Sequence, residues 1–208
     1  MNQKNSLGLN GCFLDLEDPI QLFNEWMEMA KKSEPNDPNA VALATSSKNN
    51  IPSLRMVLLK DFNLNGFVFY TNLDSQKGNE LKENPYAAMC FHWKSLLRQV
   101  RIVGKISLIS DKVADEYYSS RAYESRIGAW ASKQSEELKS RDELINTIEK
   151  YKKKFNDEKN VPRPSYWSGW ILSPYSIEFW LDGENRIHER LKYTKSSSGK
   201  WTKSLLSP

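Results

Sequence analysis

Arg186, His188 and Arg190 stand at two-residue spacing in "ENRIHERLKY", residues 184–193. Read as a strand, the stretch puts all three on one face, because strand side chains alternate, and leaves Ile187, Glu189, Leu191 and Tyr193 on the other. Such a face stands in water or meets an anion or an electron-rich ring, and the stretch alone fits both. Three further groups could hold anions. "RMVLLK" sets Arg55 and Lys60 around Met56, Val57, Leu58 and Leu59, which also suits an ordinary buried strand. "YTNLDSQKG" ends a strand at Tyr70 and Thr71 and opens a helix at Ser75, Gln76 and Lys77. A helix start offers free N–H groups to a phosphate, and simple capping explains the same residues. Tyr117, Arg121 and Ser125, at i, i+4 and i+8, share a face if one helix carries them. They offer a phenol, a guanidinium and a hydroxyl to a second phosphate; a solvated helix gives the same spacing.

The elements that must position these residues follow from pattern. Asp18-Pro19 starts a helix carrying Ile20, Phe23, Met27 and Ala30 at helical spacing. "AVALAT" (40–45), "PSLRMVLLK" (52–60) and "GFVFYTN" (66–72) form an antiparallel meander. A short helix spans 75–85, and the strands "YAAMCFHW" (86–93) and "LRQVRIVGKISLI" (97–109) follow, the second bent at Gly104. Residues 110–125 read as one helix. Residues 140–155 read as another, with Ser140 and Glu143 as a capping box and Leu144, Ile148, Tyr151 and Phe155 as its apolar stripe. Strands resume at "SGWILSP", "SIEFWLD", "NRIHERLKYTK" and "KWTKSLL". The order predicts one α+β domain over 18–208, an antiparallel barrel with flanking helices, behind a mobile segment at 1–17.

Composition narrows the chemistry. Thirty Lys+Arg against 26 Asp+Glu give a net charge of +4, interspersed along the chain, which suits small anions and not a nucleic-acid footprint. No apolar run approaches the roughly 20 residues of a membrane span. Cys12 and Cys90 form no CxxC motif, and two histidines with two cysteines argue against a structural zinc site; these features predict a reducing, cytoplasmic setting. No two glycines are spaced G-x-G, and no G-x-S-x-G elbow occurs. Any nucleotide-like cofactor must therefore be held by scattered side chains.

The stretches "RMVLLK", "FVFYTN", "KGNEL", "RQVRI", "IGAWAS", "KQS", "VPRP", "SIEFW" and "RIHERLKY", in this order over residues 38–208, resemble the pyridoxine/pyridoxamine 5'-phosphate oxidase family. The resemblance implies a homodimer of antiparallel split β-barrels with FMN at the dimer interface. It implies oxidation of pyridoxine or pyridoxamine 5'-phosphate to pyridoxal 5'-phosphate, by hydride transfer from the 4'-carbon to the flavin and reoxidation by O2 to H2O2. Carried over, FMN contacts fall on Arg55, Met56, Val57, Leu58, Leu59, Lys60, Tyr70, Thr71, Lys77, Gln99, Gln134, Ser135, Trp180 and Arg190. Substrate contacts fall on Lys60, Tyr117, Arg121, Ser125, Arg186, Ile187 and His188, with Arg186 and His188 as the catalytic pair. Two departures stand out: Gln76 replaces the family's usual arginine, and no Arg precedes Arg55 nor Tyr precedes Tyr70 to close over the substrate. A flavin carrier or sensor without turnover is the alternative.

Overall fold

The computed structural model describes residues 4–208. Fourteen helices and strands follow one another: α1 (Pro19–Ser33), β1 (Ala40–Ser46), β2 (Pro52–Leu58), β3 (Asp61–Asn63), β4 (Gly66–Asn72), α2 (Gln76–Glu83), β5 (Tyr86–Trp93), β6 (Arg98–Leu108), α3 (Asp111–Ser120), α4 (Tyr123–Ala131), α5 (Arg141–Lys154), β7 (Trp167–Leu181), β8 (Glu189–Lys195) and β9 (Trp201–Leu205). The strands form one antiparallel sheet in the order β2-β1-β5-β6-β7-β4-β3, and β8 and β9 extend it from β7. The first half of β7 pairs with β4 and the second with β8, while β6 runs along both. The sheet thus curls into a half-barrel. A register shift between Val103 and Gly104 supplies the bend, at the glycine where sequence predicts it. The two strands expected at 168–182 are one continuous β7.

Helix α1 starts as its sequence dictates: the Asp18 carboxylate accepts the Ile20 N–H at 2.9 Å, and Pro19 occupies the first turn. Its buried face, including Phe23, Trp26 and Met27, joins the strands in the main core. Phe23 sits at the centre, 4.9–6.0 Å from the rings of Phe62, Phe67, Phe91 and Trp93. A second cluster, Tyr118, Ile127, Val161 and Trp167, joins α3 and α4 to β7. Ser140 caps α5 through the Glu143 N–H at 3.2 Å, and three residues of the predicted stripe, Ile148, Tyr151 and Phe155, pack against that cluster, while Leu144 is not among its neighbours.

Three expectations are corrected. The segment 1–17 is not loose over its described part: Phe13 is fully buried in the core, and Leu16 O accepts the Tyr193 hydroxyl at 2.8 Å. Its remaining residues, 1–3, lie outside the described ones. The helix expected at 110–125 breaks at Arg121, whose backbone is extended. Ser119 and Ser120 turn their hydroxyls onto Asp115 O and Tyr117 O, each at 2.8 Å, in the last turn before the break. The strand expected at 184–193 begins only at Glu189. Before it, Asn185 and Arg186 hold left-handed φ values of 54° and 64°, so Arg186, His188 and Arg190 do not share a strand face.

Candidate active site

β2, the end of β4, the start of α2 and the loop after α4 enclose a cavity of about 520 Å³. It is lined by Arg55, Met56, Val57, Leu58 and Lys60 from β2 and its end, Tyr70 and Thr71 from β4, Gln76 and Lys77 from α2, and Gln134 and Ser135. The last two belong to a loop turned by Ser135, whose φ is 75°. A cavity of about 340 Å³ adjoins it, sharing Tyr70, Thr71 and Gln134 and adding Arg121, Ser125 and Trp167.

The first cavity has a cationic floor. Lys77 is 6% exposed, and its ammonium donates only to hydroxyls, Thr71 Oγ1 at 3.1 Å and Ser75 Oγ at 3.2 Å. Burial, helped by the nearby Arg55 charge, brings its pKa down to about 8. The Ser75 hydroxyl also caps α2. Arg55 donates to Leu43 O at 3.1 Å, to the hydroxyls of Thr45 and Ser53, and to Glu80 Oε2 at 3.3 Å. Burial pushes the Glu80 carboxyl up, yet hydrogen bonds from Ser53, Thr45 and Gln76 and the Arg55 charge outweigh it, and its pKa lies below the ordinary value. Gln76 spends its amide on Glu80 Oε1 at 2.9 Å.

The wall between the cavities is aromatic. Tyr70 stacks on Tyr117 at 3.8 Å and lies 5.4 Å from the parallel Trp167 ring. Arg121 lies over Trp167 at 4.7 Å and over Tyr118 at 5.8 Å. The break between α3 and α4 thus brings its guanidinium onto these rings. Burial lowers its pKa, and its Nη1 is enclosed without a hydrogen-bond partner. An orphaned, buried guanidinium nitrogen is costly unless an anion meets it.

The predicted site residues thus divide. Those from β2, β4, α2 and the loop after α4 gather at the first cavity, apart from Leu59, which is buried in the core. Arg121 and Ser125 line the second, and Tyr117 backs Tyr70. The remainder do not line either cavity. Gln99, Trp180 and Arg190 are register neighbours across β6, β7 and β8. Arg190 pairs with Glu178 at 2.7 Å and donates to Ser207 O at 2.7 Å. His188 sits 4.7 Å from the Trp180 ring, while Arg186 and Ile187 are exposed. Sequence reasoning missed Glu80, whose spacing of i+4 from Gln76 on a short helix was the available signal, and Trp167, for which there was none.

Residues 27–155 match the family described as pyridoxamine 5'-phosphate oxidase, and residues 167–208 match the pyridoxine 5'-phosphate oxidase C-terminal dimerisation region. A protein of Pelagibacter ubique (strain HTCC1062) named pyridoxine/pyridoxamine 5'-phosphate oxidase is 74% identical over 208 residues, covering all of both chains. One of the same name from Allorhizobium ampelinum is 51% identical over 199 residues, 95% of this chain and 96% of that one. Among solved structures, PhzG from Burkholderia lata 383, in complex with tetrahydrophenazine-1-carboxylic acid, superposes with a TM-score of 0.89 at 26% identity, over 99% of this chain and 100% of that one. An FMN binding protein of Nostoc punctiforme PCC 73102, related to pyridoxamine 5'-phosphate oxidase, shares the fold, with a TM-score of 0.74 at 15% identity over 92% of this chain and 98% of that one. No helix among the described residues is long and apolar enough to cross a membrane.

Proposed function

The chain belongs to the pyridoxamine 5'-phosphate oxidase family, and on that premise we propose that it is an FMN-dependent oxidoreductase. It oxidises pyridoxine or pyridoxamine 5'-phosphate to pyridoxal 5'-phosphate and passes the electrons to O2, giving H2O2. One observation carries the reading: the buried Lys77 ammonium, beside Arg55, has hydroxyls but no bonded anion around it. A phosphate at this helix start offsets the burial of that charge, so the donor set fits FMN.

Arg55, Lys77 and the α2 N–H groups would hold the cofactor phosphate, in the cavity that the β2 residues also line. Arg121, Ser125, Tyr117 and Lys60 hold the substrate phosphate; the unpartnered Arg121 Nη1 supports this. FMN, when bound, supplies the two-electron acceptor that no side chain offers. The protein contributes position and charge. Gln99, Trp180 and Arg190 face the cofactor, and Arg186, Ile187 and His188 face the substrate. These six avoid the cavities of their own chain, and the dimerisation match covers five of them. In a homodimer they complete the partner's site. The two free cysteines suit a reducing, cytoplasmic location.

The test is direct. Purified protein reconstituted with FMN is mixed with pyridoxamine 5'-phosphate in air, and aldehyde and peroxide are followed. Stoichiometric appearance of both is expected. FMN binding without aldehyde would make the chain a flavin carrier, and failure to bind FMN would overturn the assignment.

A further inference from the structure

His188 is held in a bracket formed by the loop between β7 and β8. The loop from β7 to β8 folds back on itself: Ile187 N–H donates to Glu184 O at 3.0 Å, and a Cβ at Gly183 would stand 2.0 Å from Ile187 O. The start of the loop is pinned from the turn before β6, because the Asp182 N–H donates to Leu97 O at 2.9 Å. Two groups inside this bracket meet the same imidazole nitrogen. The Gly183 N–H lies 3.2 Å from His188 Nδ1, and Asp182 Oδ1 lies 3.1 Å from it. One is a donor and the other an acceptor.

A neutral imidazole nitrogen cannot satisfy both. With Nδ1 bare, it accepts the glycine N–H and the ring proton sits on Nε2; with Nδ1 protonated, it donates to the carboxylate and Nε2 is bare. Hydrogen bonds to an ionised acceptor are roughly twice as strong as neutral ones. The carboxylate therefore wins while it is present, and the glycine wins when it is removed. Among the described residues Asp182 is the only carboxylate that pairs with His188.

We propose that Asp182 is a positioning residue that sets the tautomer of His188, keeping the proton on Nδ1 and Nε2 bare. A bare Nε2 accepts a hydrogen bond from a hydroxyl or amino group of the substrate. The inference deepens the oxidase reading, since it takes His188 to face the substrate.

The chain has only two histidines, His92 and His188, which makes the test clean. Long-range ¹H–¹⁵N spectra of the FMN-loaded protein are recorded at a pH where the rings are neutral, with His92→Gln to assign the signals. The wild type is expected to show His188 as the Nδ1–H tautomer, and Asp182→Ala to show it as Nε2–H. In the variant the KM for pyridoxamine 5'-phosphate should rise about tenfold, with FMN affinity unchanged. An Nε2–H tautomer in the wild type overturns the proposal without need of any variant, as does the same tautomer in both proteins. A tautomer exchange in a protein without oxidase activity upholds the role of Asp182 towards the ring and overturns the function assigned to the site.

Discussion

Lys77 ties the chemistry of the first cavity to pH. Its pKa of about 8 arises from burial and from the Arg55 charge, and a bound phosphate favours its protonated form. If Lys77 holds the FMN phosphate as proposed, dianion and ammonium coexist between the second ionisation of phosphate, near pH 6, and about pH 8, and FMN affinity is expected to be greatest there. Above that window the ammonium loses its proton, and affinity falls by up to about tenfold per pH unit. Fluorescence titration of FMN from pH 6.5 to 9.5 checks this; Lys77→Met should bind weakly at every pH and remove the slope. Gln76 is the second lever. An arginine there would reach the cavity, but Glu80 Oε1, which now accepts the Gln76 amide at 2.9 Å, would claim part of it. Gln76→Arg is therefore expected to tighten FMN about fivefold, near 1 kcal/mol, less than the roughly 1.5–3 kcal/mol of an undivided charged contact. Equal or weaker binding in a titration would remove position 76 from the phosphate. Arg55 and Lys77 were named from the sequence, one in a strand and one at a helix start, and the fold brings both to the first cavity. Glu80 was not, because a carboxylate on a short helix reads as solvated until the fold buries it under Arg55, Ser53 and Thr45.

Periodicity identified the strands and helices of this chain well where each element ends on a local signal, such as Asp18, Ser75, Ser110 or Ser140. It failed where tertiary contacts decide. The spacing of Tyr117, Arg121 and Ser125 suits one long helix, but Arg121 leaves it to lie over Trp167, 46 positions further along the chain, and no local pattern encodes that contact. The period-two run from 184 also reads as strand, and it is the closure of Gly183 against Ile187 O that makes it a loop. The loop gives its own prediction. In Gly183→Ala the new Cβ meets backbone, not a flexible side-chain end, so the loop must open. We expect a loss of about 1–3 kcal/mol in denaturant stability, typical of a forced overpacking, and a fall in kcat/KM larger than any change in FMN affinity. Unchanged kinetics in a folded variant would show that the loop conformation does not govern the site.

At the scale of the molecule, six residues of the candidate site, from β6, β7, β8 and the loop before β8, line neither cavity of their own chain. Sequence order names both sets but cannot say which chain supplies which, since register in a sheet carries no information about a partner. The exposed apolar face of β2, with Leu54 at 68% and Met56 at 63% exposure, and the match of 167–208 to a dimerisation region agree with a site shared across a two-fold axis. Mixed dimers decide the matter. Arg121→Ala removes a cation from the second cavity, and Arg186→Ala removes one from the loop after β7. Each homodimer is expected to lose at least tenfold in kcat/KM, about 1.4 kcal/mol. In a mixed dimer with shared sites, one site receives both substitutions and the other receives neither. Random reassortment makes about half the dimers mixed, so the pooled sample should regain about a quarter of wild-type activity. If each chain builds its site alone, every site carries one substitution and mixing restores nothing. The measurement is activity after co-refolding the two variants in equal amounts, compared with each refolded separately.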